Sequence, residues 1–259
     1  MIWFFYTTFF AVGAIIGSFL NVVIHRGPAR WELVEDESRE GSLATPRSYC
    51  PLCKTPIKRR HLLPIVSFFA LQGKCAACSN PISKRYVTVE FCGALAALLS
   101  AIVFGPSIEA ICASIFLWLL IALAVIDLET GFLPDVLTIT LIFLGIAFNT
   151  IDMFTPMPDA IIGAFAGYAI FRVIGAAFLA LRGLEGLGLG DAKLLAGLGA
   201  WLGWQALAPI VLIGALTNLA IIAFMVSRGA KIERETEIPF GPALAMAGAI
   251  FMLVSVLLR

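Results

Sequence analysis

Residues 194–227 form a run of 34 positions without one charged side chain. At about 1.5 Å of rise per residue, one helix of that length would be roughly 50 Å long, against a bilayer core of about 30 Å. The run therefore reads as two membrane passes. The break is expected near 201–209, where Gly203, Gln205 and Pro209 are turn or interface signals. Further charge-free runs lie at 1–24, 91–108, 110–126, 136–151 and 238–258, with 160–171 and 173–181 split only by Arg172. The pattern predicts an all-α polytopic membrane protein with about eight transmembrane helices. Composition agrees: 60% of the 259 residues are hydrophobic and 14% are charged, against about 45–50% and about 25% in soluble domains. That excludes an ordinary soluble globule and a disordered chain. A net charge of +1 gives no electrostatic case for nucleic acid. The partner that composition implies is the lipid bilayer.

The first run lacks a basic n-region and a small-x-small cleavage site, so it is expected to stay as a helix rather than leave as a signal peptide. Gly13, Gly17 and Ser18 then read as helix-packing positions. Segment 25–86 holds 11 of the 18 Lys and Arg residues. By the positive-inside rule it is cytoplasmic. Alternating through eight passes puts 127–135, 182–193 and 228–237 on the same side, and three of these four segments carry Lys or Arg. The expected organisation is a first transmembrane helix at 1–24, a cytoplasmic loop domain at 25–86 and a seven-helix membrane domain at 87–259.

The loop domain contains Cys50-Pro-Leu-Cys53 and Cys75-Ala-Ala-Cys78, with 21 residues between the pairs. Two such knuckles can place four thiolates around one tetrahedral ion, and the expected metal is structural zinc. Two redox pairs, or cysteines with no metal role, are the alternatives. A closed four-sulfur site leaves no open position for chemistry, but it supplies folding free energy to a segment too small for its own core. Cys92 and Cys112, inside apolar runs, read as packing residues. The acidic stretch at 31–42 reads as a solvated surface, and His25 and His61 as interface residues.

Ionisable groups at membrane depth are functional hypotheses by default. Asp127 ends the third pass and Asp191 opens the sixth, in Gly188-Leu-Gly190-Asp191. The topology, fixed by basic residues alone, puts both at one membrane edge; Asp152 and Asp159 fall on the other. Two carboxylates at one depth can meet and share a proton, the arrangement that activates water in aspartic proteases. Gly186, Gly188 and Gly190 remove bulk and allow unusual backbone angles, so that a peptide could approach. The bland alternatives are an N-cap for Asp191 and a solvated loop-edge charge for Asp127.

Taken together, several stretches resemble the type IV prepilin peptidases, which are GxGD-type aspartic proteases. They are Gly17-Ser-Phe-Leu-Asn21-Val-Val-Ile-His25-Arg26, both cysteine pairs, Tyr86-Val-Thr-Val-Glu90, Asp127 through Pro134-Asp135, Glu185-Gly-Leu-Gly-Leu-Gly-Asp191-Ala-Lys193-Leu and Pro239-Phe-Gly-Pro242. The resemblance implies catalytic Asp127 and Asp191 with Gly188 and Gly190 in the active-site loop. It implies a tetrad of Cys50, Cys53, Cys75 and Cys78. It also implies prepilin or pseudopilin substrates, cleavage of a basic leader after glycine at the cytoplasmic face, and methylation of the new N-terminus from S-adenosylmethionine. The sequence assigns no residues to the methyl donor, and Asn21, Arg26 and Glu90 read equally as helix anchors. Arg172 departs from the pattern; a carboxylate partner, a polar cavity or a shifted register of the fifth pass would each account for it. A proton-coupled transporter with a zinc-regulated loop is the competing reading, and a membrane anchor with a partner-binding loop is a third. Both aspartates at one edge and no detected repeat favour the protease.

Overall fold

The computed structural model describes residues 2–34, 42–43, 45, 47–183, 188–229 and 238–257. Most of the acidic stretch, Glu185, Gly186 and the basic residues at 231 and 234 lie outside them. The chain divides into two compact units, Met1–Ala122 and Leu123–Arg259.

In the first unit, α1 (Ile2–Arg30) packs along α3 (Lys84–Phe104). Glycine makes that approach possible. A Cβ on Gly13 would lie 2.5 Å from the Gly93 carbonyl oxygen, and one on Gly17 would lie 2.8 Å from the Glu90 Cα. This is small-residue packing in a lipid-adapted pair, as expected for Gly13 and Gly17. Asn21 is buried against the same seam and donates to the carbonyls of Gly17 and Tyr86 at 3.3 and 2.9 Å. α1 runs past residue 24 to Arg30, through Pro28. Its last turns stay ordered because the buried Arg26 donates to the Ser42 and Leu43 carbonyls at 3.4 and 3.2 Å. A five-residue helix, α2 (Val66–Ala70), lies in the intervening segment. The Trp118 indole of α4 (Ile108–Thr130) donates to the Gly93 carbonyl at 2.9 Å.

In the second unit, α7 (Leu189–Leu202) is enclosed by protein. Ala192 and Leu194 through Trp201 are all buried, and the helix packs on α5 (Asp135–Asn149), α6 (Met157–Arg182) and α9 (Gly241–Leu257). Glycines again allow the approach: a Cβ on Gly167 would meet the Leu195 carbonyl at 2.6 Å. One end of α7 is clamped. Buried Asn149 donates to the Ala200 and Trp201 carbonyls at 2.9 and 3.1 Å and accepts from the Phe154 and Thr155 amides at 2.9 and 3.2 Å. All its amide capacity is thereby used. The Trp201 indole adds a 2.8 Å bond to the Leu141 carbonyl. The expected break in 194–227 falls at Gly203, whose φ of +81° suits glycine. A short 3-10 turn, Trp204–Ala206, then leads into α8 (Leu207–Ser227).

The described helices number eight of fourteen residues or more, and no β-strand is present among the described residues. Five are long and apolar enough to cross a membrane: Ile2–Arg30, Lys84–Phe104, Ile108–Thr130, Met157–Leu181 and Trp204–Ser227. Asp135–Asn149 and Gly241–Val256 are apolar but shorter. The protein is an all-helical membrane protein. Arg172 is exposed on α6 and pairs with no carboxylate among the described residues, so the expected ion pair is not found there.

Candidate functional site

Asp127 sits in the last turn of α4. The helix ends at Gly131, where φ is +70° and the amide bonds back to the Asp127 carbonyl at 2.8 Å. The reading of a loop-edge solvated charge does not hold: Asp127 is 5% exposed, and its Oδ2 has no hydrogen-bond partner among the described residues. A buried carboxylate oxygen left unpaired is costly, so such a group calls for a functional explanation.

Two other helix starts reach this point. Gly241 opens α9, and a Cβ there would lie 2.5 Å from Asp127 Oδ2 and 3.3 Å from Leu133 Cδ1. Gly190 lies in the first turn of α7, where a Cβ would lie 2.8 Å from Leu133 Cβ. Leu133 is therefore a wedge, 8% exposed, touching the glycine before Asp191 and the glycine against Asp127. Asp191 directly follows Gly190, so Leu133 joins the two helix ends that carry the carboxylates. The structure brings together Asp127, Asp191, Gly188 and Gly190.

Of the two properties expected of these glycines, missing bulk and unusual backbone angles, the structure uses the first. Gly188 is the N-cap of α7 at φ −66° and ψ 145°, which any residue can adopt, and Gly190 is helical. What Gly190 provides is missing bulk beside Leu133. Asp191 is in the first turn and is not the cap, so its carboxylate is not consumed as a capping group. The helix N-terminus still favours its negative charge. Lys193 Nζ donates to Asp135 Oδ1 at 2.5 Å, linking the first turns of α7 and α5. Asp135 is 61% exposed, which makes this a surface pair of about 0–1 kcal/mol. Asp152 and Asp159 serve the other end of the unit. Asp152 accepts from the Met157 amide at 2.8 Å, and Asp159 from Gln205 Nε2 at 2.9 Å, beside Gly203. Sequence reasoning passed over Leu133 and Gly241. The signal available for Gly241 is a glycine between two prolines at a helix start, Pro239-Phe-Gly-Pro242.

In the first unit, the Sγ atoms of Cys50, Cys53, Cys75 and Cys78 all lie within 4.8 Å of one another, with Cys50 and Cys78 at 3.9 Å. A tetrahedron with bonds of about 2.3 Å to sulfur has edges of about 3.8 Å. Four thiols at this spacing can hold one metal ion. The two knuckles repeat at an offset of 25 residues: Cys50-x-x-Cys53-x-x-Pro56-Ile57 becomes Cys75-x-x-Cys78-x-x-Pro81-Ile82. Each closes with an antiparallel bridge, Tyr49 with Pro56 and Lys74 with Pro81. Each also has a left-handed residue after its second cysteine, Lys54 or Ser79. This local repeat was not recognised from sequence. The Thr55 hydroxyl, then its backbone, holds the Cys53 thiol down at about 6. The Asn80 amide favours the Cys78 thiolate, yet burial and the neighbouring sulfurs push that thiol up to about 11. Crowded thiolates repel, and a cation among them removes the repulsion. Cys92 and Cys112 stand apart in α3 and α4.

Residues 11–104 match the Bacterial Peptidase A24 N-terminal domain, and residues 114–224 match the Type IV leader peptidase family. Among curated proteins, the chain is 41% identical to the prepilin leader peptidase/N-methyltransferase of Aeromonas salmonicida, over 97% of this chain and 91% of that one. It is 42% identical to the protein of that name from Burkholderia pseudomallei strain K96243, over 92% and 82%. It is 40% identical to the one from Neisseria gonorrhoeae, over 92% and 87%. No solved structure matches.

Proposed function

This chain belongs to the type IV leader peptidase family, and from that premise we propose that it removes the basic leader from prepilins or pseudopilins and then methylates the new N-terminal amine. The observation that carries the reading is the convergence of Asp127 and Asp191 around Leu133 and Gly241. One carboxylate, ionised, takes a proton from water as the water oxygen bonds to the scissile carbonyl carbon. Its protonated partner gives a proton to the carbonyl oxygen. When the tetrahedral intermediate collapses, the C–N bond breaks, the leaving amine takes the proton gained from water, and the partner carboxylate takes back a proton from the diol, which restores the pair. The cytoplasmic side of the inner membrane is supported by the basic residues crowded into 25–86. The relatives lend the transporter reading no support.

Zinc is the metal that four thiolates at this spacing fit best, in a structural role. S-adenosylmethionine, when bound, supplies an electrophilic methyl group to the free amine. Its binding residues are assigned to the first unit, where Asn21 Oδ1 is a buried acceptor without a donor among the described residues. An N–H of such a ligand would satisfy it. Cleavage and methylation then use different groups. The Asp127→Asn protein should still transfer a labelled methyl group to a pre-cleaved peptide with an N-terminal phenylalanine, at close to the native rate, while cleaving no prepilin. Loss of transfer in the folded variant would mean that the two sites are one.

Gly241 is a positioning residue in this scheme. Gly241→Ala should displace the Asp127 carboxylate and lower cleavage about 100-fold, the scale of a misplacement near 1 Å. Gly248→Ala adds an equally close Cβ to the same helix, 2.5 Å from the end of the Leu198 side chain, and should spare activity. Equal loss in both would reduce Gly241 to a packing role.

A further inference from the structure

Residues 61–71 read His-Leu-Leu-Pro-Ile-Val-Ser-Phe-Phe-Ala-Leu and lie between the two cysteine knuckles. A segment this apolar would bury itself if the metal module were an ordinary water-facing domain. It does not: Leu62, Leu63, Val66 and Phe69 are 40, 58, 62 and 69% exposed. Apolar groups clustered on one short element mark an interaction surface.

Two observations fix where that surface sits. The Ile65 amide donates to Glu90 Oε2 at 2.7 Å. Glu90 lies six residues into the membrane-crossing helix α3, about 9 Å along its axis from Lys84. The segment is thus pinned alongside the membrane helix, below the level of its first basic residues. The pin is built rather than incidental. Ile65 has φ of +61°, an outlier for a β-branched residue, and such a conformation persists only where its surroundings enforce it. The charge pattern fits the same depth. Exposed Lys58, Arg59 and Arg60 come immediately before the apolar residues, and Lys84 and Arg85 begin α3. Basic residues next to a shallow apolar face are the pattern of elements lying in the headgroup boundary of an anionic membrane.

We propose that residues 62–71, with α2 at their centre, dip into the headgroup–acyl boundary of the bilayer, and that Lys58, Arg59 and Arg60 engage anionic lipid headgroups above them. The occupant of this face is lipid, continuous with the lipid-facing surface of α3. The inference stands apart from the catalytic reading and uses only the membrane character of the chain.

The test places a photoreactive benzoylphenylalanine at Phe69 in the full-length protein, reconstituted in vesicles of phosphatidylcholine with phosphatidylglycerol. The same probe at Phe91, half-exposed on α3, is the positive control. Irradiation should give a phospholipid adduct at both positions, read by mass spectrometry. Omitting phosphatidylglycerol, or introducing Arg59→Gln with Arg60→Gln, should lower the yield at position 69 severalfold and leave position 91 unchanged. Glu90→Ala should lower the yield at 69, and Glu90→Gln, which keeps an acceptor oxygen, should restore it. Lipid capture at 91 with none at 69, or capture at 69 of added prepilin peptide in place of lipid, would overturn the proposal. Unchanged yield at 69 in Glu90→Ala would overturn the pin.

Discussion

The Asp127→Asn protein should insert and fold like the native chain and cleave prepilin at least about 1,000-fold more slowly, and Asp191→Asn should do the same. A positioned acid–base group is worth about 10²–10⁴-fold. Members of a catalytic unit are not additive, so losing either one removes most of what both supply. Asparagine keeps the shape but neither holds an abstracted proton nor delivers one. Stability should not suffer, because Asp127 Oδ2 makes no hydrogen bond among the described residues and a neutral amide is easier to bury than a carboxylate. Leader release measured by mass spectrometry, alongside thermal unfolding, checks both halves. Cleavage near the native rate in either variant would sink the assignment. Asp135→Asn should be mild, since it removes only an exposed pair with Lys193.

Cys50→Ser with Cys53→Ser removes half of the sulfur cluster and should abolish metal binding. The native protein should hold about one zinc per chain, and Cys92→Ser and Cys112→Ser should keep it. The consequence extends beyond the ion. The two knuckles are held by short bridges and turns, and the two helical elements between them, Arg59–Leu62 and Val66–Ala70, are too short to be stable alone. Without metal the module loses its folding free energy. Methylation should then fall at least as far as cleavage, because the proposed donor residue Asn21 belongs to the same unit as this module, whereas the aspartates belong to the other. Metal analysis of reduced protein with paired cleavage and methyl-transfer assays decides the matter. Native protein free of zinc, or a double variant that methylates normally, would refute it.

Much of the architecture was legible because membrane helices announce themselves through missing charge. The break at Gly203 was legible for a different reason: two passes cannot be continuous, and glycine marks where the chain can turn. The cysteine tetrad could be found from spacing, and the two aspartates from their depth together with the family resemblance. Leu133 and Gly241 could not. Their importance lies in what stands within a few ångströms across helix boundaries; the prolines around Gly241 mark a helix start, but nothing local marks the crowding. The same limit applies to Asn149, an asparagine that joins the nearby Phe154 and Thr155 to the remote Ala200 and Trp201. Gly188 and Gly190 were legible as positions of missing bulk and of torsional freedom, and the structure uses the first property, at Gly190, and not the second. The end of α1 was set too early because Arg26 looks like a stop until its carbonyl partners are known.

α7 has 14 residues and is about 21 Å long, some 9 Å short of the hydrocarbon thickness of about 30 Å. A helix facing lipid would be penalised for that mismatch, but α7 is wrapped in protein and has no lipid boundary to meet. Its Trp201 end is fastened to α5, so the shortfall accrues toward the end that bears Asp191. On the proposed reading of Asp127 and Asp191 as the hydrolytic pair, that draws the pair below the full height of the hydrocarbon layer. Water, the second reactant, then has to reach it past the ends of α4, α7 and α9. An enzyme of this shape governs its chemistry by admitting solvent as much as by selecting peptide.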